Sequence, residues 1–391
     1  MLPESPRFIL SGGGTGGHIF PAIAIADELK RRYPQAEFLF VGARGRMEME
    51  KVPAAGYRIE GLWISGLQRR LTLDNLSFPV KVMNSLFRSR KIIREFRPDA
   101  VIGTGGYAGA PVLYAAARMG IPTLIQEPNA FAGLANKWLG GRVDKVCVAF
   151  GGMAKFFPAH KLVITGNPVR EQLLDRAKAL DRASQEPPYT VLLMGGSGGA
   201  RSLNEAMAGS TEQLRAGPST TASGPAPIAT GASQVQWIWQ CGKNYLDTYR
   251  DCPSAQLPNV TLTAFLDRMD EAYAAATVVV GRAGSTTIAE VEYLGKPTIL
   301  VPSPWVAEDH QTKNAEALTK ENAAVLLPDS QVVERLVPIV RELLADAARR
   351  AELSRNAQAL AQPGAVGRIA DEVAKLIHTS APKRPAAHAV S

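Results

Sequence analysis

His18 closes a glycine-rich run, Gly12-Gly13-Gly14-Thr15-Gly16-Gly17-His18, directly after the apolar stretch Phe8-Ile9-Leu10. Histidine titrates near neutrality, so a histidine held in that place can take a proton from a reacting hydroxyl. Glu127, at the end of another apolar run, and Tyr107, after the glycines at 103–106, are rival proton acceptors or positioners. A second group is Ser285-Thr286-Thr287, which opens a helical pattern after Val278-Val279-Val280-Gly281, with Glu290 about one turn further on. Free N–H groups and hydroxyls at a helix start favour phosphate, and the carboxylate suits the ribose of the same nucleotide. The third is the loop 305–314, WVAEDHQTKN, rich in donors and acceptors for sugar hydroxyls. Each group also has a plain reading: a tight β–α turn, a hydroxyl cap or a solvated loop that holds nothing. The chain has no D-x-D and no H-E-x-x-H, and His18 and His310 lie far apart, so neither a metal nor a cofactor is expected. A diphosphate leaving group would then rest on backbone dipoles and on cations such as Arg170.

Elements must carry these residues to one place. The apolar runs at 8–10, 38–41, 100–102, 122–125 and 145–149 read as parallel strands alternating with helical patterns. Functional loops in such sheets lie beyond the carboxyl ends of the strands, so 12–18, 103–107 and 126–129 should line one crevice. A second series starts after the polar helical stretch 170–186, with strands at 189–194, 235–239, 260–262, 278–280 and 298–301. Its first strand runs into Gly195-Gly196-Ser197-Gly198-Gly199, so strand, glycine turn and helix occur twice. One Rossmann-like half per domain is the economical reading, joined near 165–168. Long helices are expected at 332–361 and near 369–377, a flexible insertion at 216–233, and a disordered tail.

Gly12, Gly14 and Gly17 also satisfy the dinucleotide pattern G-x-G-x-x-G. That reading expects an acid closing the second strand, where this chain has Gly42-Ala43-Arg44; Arg44 would suit a 2′-phosphate instead. An oxidoreductase is therefore disfavoured and stays open at this level, beside a non-catalytic nucleotide-binding scaffold.

With 391 residues there is room for two domains, and three widely spaced cysteines suggest neither a disulfide framework nor a zinc site. No run of 18 apolar residues and no export signal appear, so a cytoplasmic protein is expected. The net charge is +8, and most of it is local. Between 69 and 97, eight basic residues (Arg69, Arg70, Lys81, Arg88, Arg90, Lys91, Arg94, Arg97) face two acidic ones (Asp74, Glu95), an excess of six, interleaved with apolar residues. That pattern fits a helix lying on anionic lipid, and equally a helix packed on a sheet with solvated arginines. No nucleic-acid motif accompanies it, and no nucleic acid is expected.

Seven motifs in order, GGGTGGHIFP at 12–21, GTGGYAGAP at 103–111, QEPNAFAGLANKWL at 126–139, TGNPVR at 165–170, GGSGGARSLN at 195–204, RAGSTTIAE at 282–290 and AEDHQTKNAEAL at 307–318, resemble the MurG family. The resemblance implies an α/β GT-B fold, two Rossmann-like doubly wound parallel-sheet domains facing across a cleft. The first would span 1–166 and the second 167–365, with a helix at 366–378 returning to the first and a tail at 379–391. It implies a peripheral enzyme on the cytoplasmic side of the inner membrane that moves N-acetylglucosamine from UDP-N-acetylglucosamine to undecaprenyl-linked lipid I. Other cell-wall synthesis proteins are admitted as partners. Residue by residue, Thr15, Gly16, Gly17 and His18 match the loop at the donor diphosphate and sugar, and Asn129 a donor-sugar contact. Arg170 and Ser197 match donor positions, and Leu266 a uracil contact. Ser285, Thr286, Thr287, Ile288, Ala289 and Glu290 match the phosphate-and-ribose helix, and Gln311 a sugar contact. Members often read His-Glu-Gln-Asn where this chain has Gln126-Glu127-Pro128-Asn129.

Overall fold

In the computed structural model the Phe8-Ile9-Leu10 run is the centre of β1 (Arg7–Gly12). All three side chains are fully buried, because helices cover both faces of the sheet they build. The structure describes residues 5–65, 78–180, 182–183, 186–196, 198–215 and 235–379. Arg69, Arg70, Ser197, the insertion at 216–233 and the tail beyond 379 lie outside the described residues. The chain divides into two units, Met1–Val169 with Gly364–Ser391, and Arg170–Pro363.

The first unit continues with α1 (Gly16–Arg32), β2 (Glu37–Ala43), α2 (Glu48–Ala54), β3 (Arg58–Leu62) and α3 (Phe78–Phe96). Then come β4 (Ala100–Gly105), α4 (Gly109–Arg118), β5 (Thr123–Glu127), α5 (Leu134–Gly140), β6 (Lys145–Val148) and β7 (Leu162–Ile164). The strands run in the order β3-β2-β1-β4-β5-β6-β7, with every pairing parallel. The period-2 alternation of β1 splits its residues between two cores. Phe8 and Leu10 pack with Ile19, Ile25 and Leu29 of α1, while Ile9 packs with Ile92, Ile93, Val112 and Leu113 from α3 and α4.

In the second unit α6 (Glu171–Leu180) precedes β8 (Tyr189–Met194), α7 (Arg201–Gly209), β9 (Val235–Gln240), β10 (Val260–Thr263) and α8 (Met269–Ala275). β11 (Val278–Gly281), α9 (Ser285–Leu294), β12 (Thr298–Leu300), α10 (His310–Lys320), β13 (Val325–Leu326), α11 (Val332–Ala345) and α12 (Ala347–Leu360) follow. Its sheet has the order β10-β9-β8-β11-β12-β13, again all parallel. Each sheet reverses strand order beside its first strand, where α/β sheets present ligand-binding loops. The last helix, α13 (Ala365–Thr379), belongs to the first unit: Ile369, Val373 and Ile377 share the core of Phe8 and Leu10, and Arg32 bonds to Gly367 and Asp371.

Two expectations need correction. The strands β3, β7 and β13 were not legible, because edge strands carry polar residues or span only two or three positions. The helix expected over 332–361 is two helices: Asp346 is non-helical (φ −103°, ψ 87°) and caps α12, its side chain accepting from the Arg349 N–H at 2.8 Å. Buried Arg350 then closes the end of α11, donating to the carbonyls of Leu343 and Leu344.

Glu292, on α9, is a buried acid whose carboxyl is pushed up to about 8 by desolvation. Its folded value lies above the unfolded one of 4.5, so the stability it contributes is whole below pH 4.5 and is lost as pH rises toward 8. Glu292→Gln should therefore leave the thermal midpoint unchanged near pH 4.5 and raise it at pH 8, by about 2–4 kcal/mol of stability. A midpoint difference independent of pH would show that Glu292 is not neutral in the fold.

Candidate active site

Two glycine turns of the first unit interlock at the carboxyl ends of β1 and β4. Only Gly14 in the first turn has positive φ (87°); Gly16 and Gly17 already belong to α1. Gly12 and Gly13 are needed for close approach instead. A Cβ at Gly12 would lie 2.0 Å from Thr104 Oγ1, and one at Gly13 2.2 Å from Glu48 Oε1. From β4, Gly106 (φ 84°) packs so tightly that its Cβ would meet the Gly13 carbonyl at 2.3 Å.

His18 sits in the first turn of α1, half-buried, its N–H bonded to the Thr15 carbonyl at 3.1 Å. Its ring Nδ1 is 2.9 Å from the Thr104 carbonyl, which can only accept, so Nδ1 carries the proton and the neutral ring has its lone pair on Nε2. Thr104 Oγ1 donates back to the His18 carbonyl at 2.6 Å. Gly105 (φ 106°) leaves room for the ring, since a Cβ there would fall 2.6 Å from Nδ1. Thr15, Gly16 and Gly17 line the same turn, Thr15 exposed. Tyr107 is half-buried over Gly14; burial, and then Glu48, push its hydroxyl above the usual range, with Arg46 pulling it back.

Glu127 closes β5, as its place in the sequence implied. It is 1 % exposed, and both oxygens are occupied: Oε1 accepts from the Asn129 N–H and side-chain amide, Oε2 from the Gly133 N–H and the Asn136 amide. Burial raises its carboxyl and these four donors oppose that. Such a group organises the loop that presents half-buried Asn129. Gln126, in the family's histidine position, is buried and donates to Asn167 at 3.0 Å.

In the second unit α9 starts at Ser285, with Gly284 as an extended cap and no side chain spent on capping, so its first N–H groups and the hydroxyls of Ser285, Thr286 and Thr287 remain for a ligand. Ala289 is half-buried. Ile288 is 1 % exposed, so its side chain belongs to the core and only its backbone can meet a ligand. Glu290 is also buried, one oxygen accepting from the Tyr273 hydroxyl at 2.8 Å. Desolvation raises its carboxyl, and Tyr273 and Arg170 lower it. Arg170 itself is exposed just ahead of α6, and Leu266 is half-buried past β10. Gln311 holds the loop before it, Oε1 accepting from the Ser303 N–H at 2.8 Å, where Glu308 and Asp309 take left-handed geometry (φ 55° and 52°). Consecutive non-glycine residues of this kind cost on the order of 1–3 kcal/mol each and persist where packing holds them.

Arg282, inside the motif RAGSTTIAE, braces the segments around the start of α9. Its guanidinium donates to the carbonyls of Val301 and Pro302, to Asp329 at 2.5 Å and to Ser202 at 3.0 Å. Thr104 and Asn136 likewise lie inside motifs without standing out there, and Tyr273 and Glu48 lie outside all seven. Among the described residues no group of three or more His, Cys, Asp or Glu could hold a metal.

Two doubly wound parallel sheets, each with a glycine turn after its first strand, form the GT-B fold, and the sequence places the chain among the glycosyltransferases that use it. The glycosyltransferase family 28 N-terminal domain model matches residues 8–148 and the C-terminal domain model residues 190–369. UDP-N-acetylglucosamine–N-acetylmuramyl-(pentapeptide) pyrophosphoryl-undecaprenol N-acetylglucosamine transferases are 46% identical in Flavobacterium psychrophilum, covering 96% of this chain and 99% of the relative, and 48% in Cytophaga hutchinsonii, covering 97% and 99%. The crystal structure of Acinetobacter baumannii MurG, 27% identical, superposes with a TM-score of 0.75 over 95% of this chain and 99% of that one. CalG4, a calicheamicin glycosyltransferase, shares the fold at 16% identity, with a TM-score of 0.68 over 97% and 100% of the two chains. The chain belongs to glycosyltransferase family 28, in its MurG family.

Proposed function

We propose that the protein transfers N-acetylglucosamine from UDP-N-acetylglucosamine to the 4-hydroxyl of undecaprenyl-diphosphate-linked N-acetylmuramoyl-pentapeptide, with inversion, converting lipid I to lipid II. The observation that carries this is identity of 46–48% over nearly the whole chain to transferases named for that reaction. His18 Nε2 takes the proton of the muramoyl hydroxyl as its oxygen bonds to the anomeric carbon and the bond from that carbon to the UDP oxygen breaks. The start of α9, with Ser285, Thr286 and Thr287, and the cation Arg170 stabilise the departing diphosphate. Glu290 takes the ribose hydroxyls and Leu266 the uracil, while Thr15, Gly16, Gly17, Asn129 and Gln311 contact diphosphate and sugar. Glu127 and Tyr107 position. Incubation with labelled UDP-N-acetylglucosamine and a short-chain lipid I analogue should give the disaccharide lipid and one UDP per transfer; label passing only to a different acceptor would place the protein elsewhere among glycosyltransferases.

The membrane reading is supported by α3. Ser85, Ser89, Ile92 and Ile93 face inward, whereas Val80, Met83 and Phe87 are 52–63 % exposed. At helical spacing that stripe continues into exposed Arg90, Lys91 and Arg94. Arg88 is paired with Glu60 at 2.7 Å, and Lys91 more loosely with Glu95 at 3.7 Å. No described helix is long and apolar enough to cross a membrane. A peripheral seat on the cytoplasmic leaflet fits, each nearby basic residue adding about 1 kcal/mol. Reversing Arg90, Lys91 and Arg94 to Glu should weaken co-sedimentation with anionic vesicles at least tenfold at low salt and leave donor binding intact. Sedimentation indifferent to both the reversal and the ionic strength would remove this surface.

A further inference from the structure

Glu48 opens α2, five residues past the end of β2, and is completely buried. Its carboxylate bridges two backbone segments: Oε1 accepts from the Ala43 N–H at 2.9 Å and Oε2 from the Gly14 N–H at 3.1 Å. Glycine is required on both sides to admit it. A Cβ at Gly13 would lie 2.2 Å from Oε1, and one at Gly42 2.5 Å from Cγ. This is a buried carboxyl group whose oxygens are taken up by main-chain donors, an arrangement that holds a loop in one conformation and is costly to disturb.

The loop it holds leads directly to His18. Gly14, in left-handed geometry, precedes Thr15, whose carbonyl takes the N–H groups of His18 and Ile19 and so begins α1. On the other flank Thr104 binds the His18 ring and carbonyl, and Gly106 presses on Gly13. His18 is therefore fixed from two sides, by β4 directly and by α2 through Glu48 and Gly14. The same contact consumes the Gly14 N–H that a dinucleotide fingerprint would offer to a pyrophosphate, and it sets a carboxylate beneath the turn.

We infer that Glu48 is a positioning residue for the transfer reaction, setting through Gly14 the place of His18, and that the first glycine turn is braced from within rather than used as a diphosphate cradle at Gly14. The inference rests on the proposed reading of the reaction, which wild-type product formation tests separately. In Glu48→Gln one amide oxygen can satisfy one N–H, while the amide nitrogen is set against the other donor, so the turn relaxes. Displacing a catalytic group by about 1 Å costs on the order of 10²-fold, so Glu48→Gln should lower kcat by about that factor and leave the KM for UDP-N-acetylglucosamine within about threefold. Added to His18→Ala, it should change kcat less than about threefold, because residues acting as one unit are not additive. Gly42→Ala pushes on Glu48 from β2, and less closely on Ile59, with residues 12–18 unaltered in sequence, and should reproduce the kcat loss, so the test stands even if Glu48→Gln does not fold. A purely structural Glu48 would lower the thermal midpoint with kcat unchanged below it. That result, or a full and additive loss in the His18→Ala background, would overturn the inference.

Discussion

His18→Ala is expected to lower turnover by about 10²–10⁴-fold, the range that general-base catalysis supplies, while donor affinity stays nearly constant. The expectation rests on the tautomer: Nδ1 donates to the Thr104 carbonyl, so Nε2 is the basic atom, and Gly105 gives the ring space to hold that bond. Replacement by glutamine tests geometry against proton transfer, since it keeps a polar side chain of similar reach and cannot serve as a base at neutral pH. The rate at subsaturating acceptor should fall on acidification in the wild type, and that acidic limb should be absent from His18→Ala. Glu127 is the control. Its four donors predict that Glu127→Ala loosens the turn carrying Asn129 and lowers activity through donor contacts, without removing the limb. An acidic limb that survives in His18→Ala and vanishes in Glu127→Ala transfers the base to Glu127.

The second large effect concerns the donor. Glu290→Ala should raise the KM for UDP-N-acetylglucosamine at least tenfold, because a carboxylate accepting sugar hydroxyls contributes about 1.5–3 kcal/mol. The Tyr273 hydroxyl already occupies one oxygen, so Glu290→Ala also strands a buried hydroxyl, and part of its cost is stability. Tyr273→Phe separates the two: it frees the oxygen without removing the ribose acceptor, and should raise KM less than Glu290→Ala. Burial raises the Glu290 carboxyl, so affinity for the donor should decline as pH falls through its titration and the decline should be missing in Glu290→Gln. Calorimetry showing the same UDP affinity for wild type and Glu290→Ala would remove Glu290 from the site.

What the sequence determined by itself is what depends on near neighbours. The runs Phe8-Ile9-Leu10, Val278-Val279-Val280 and Tyr189 to Met194 are strands because continuous apolar residues suit a sheet covered on both faces, and the turns that follow them are glycine because the chain must reverse closely there. His18 and Ser285-Thr286-Thr287 were readable for the same reason: a helix start is encoded by adjacent residues. Seven motifs in one order identified the family, since their joint spacing has no other common explanation. Only the tertiary structure decided what the acids do. Glu127 and Glu290 look alike in sequence, each just beyond a glycine- or apolar-rich run. One is saturated by four internal donors, and the other spends one oxygen on Tyr273, seventeen positions away. Glu48 showed no pattern at all, because its partners, Gly14 and Ala43, are backbone groups that carry no sequence signature. A buried carboxylate takes its role from the donors the fold brings to it, and that set exists only once distant strands and turns have packed together.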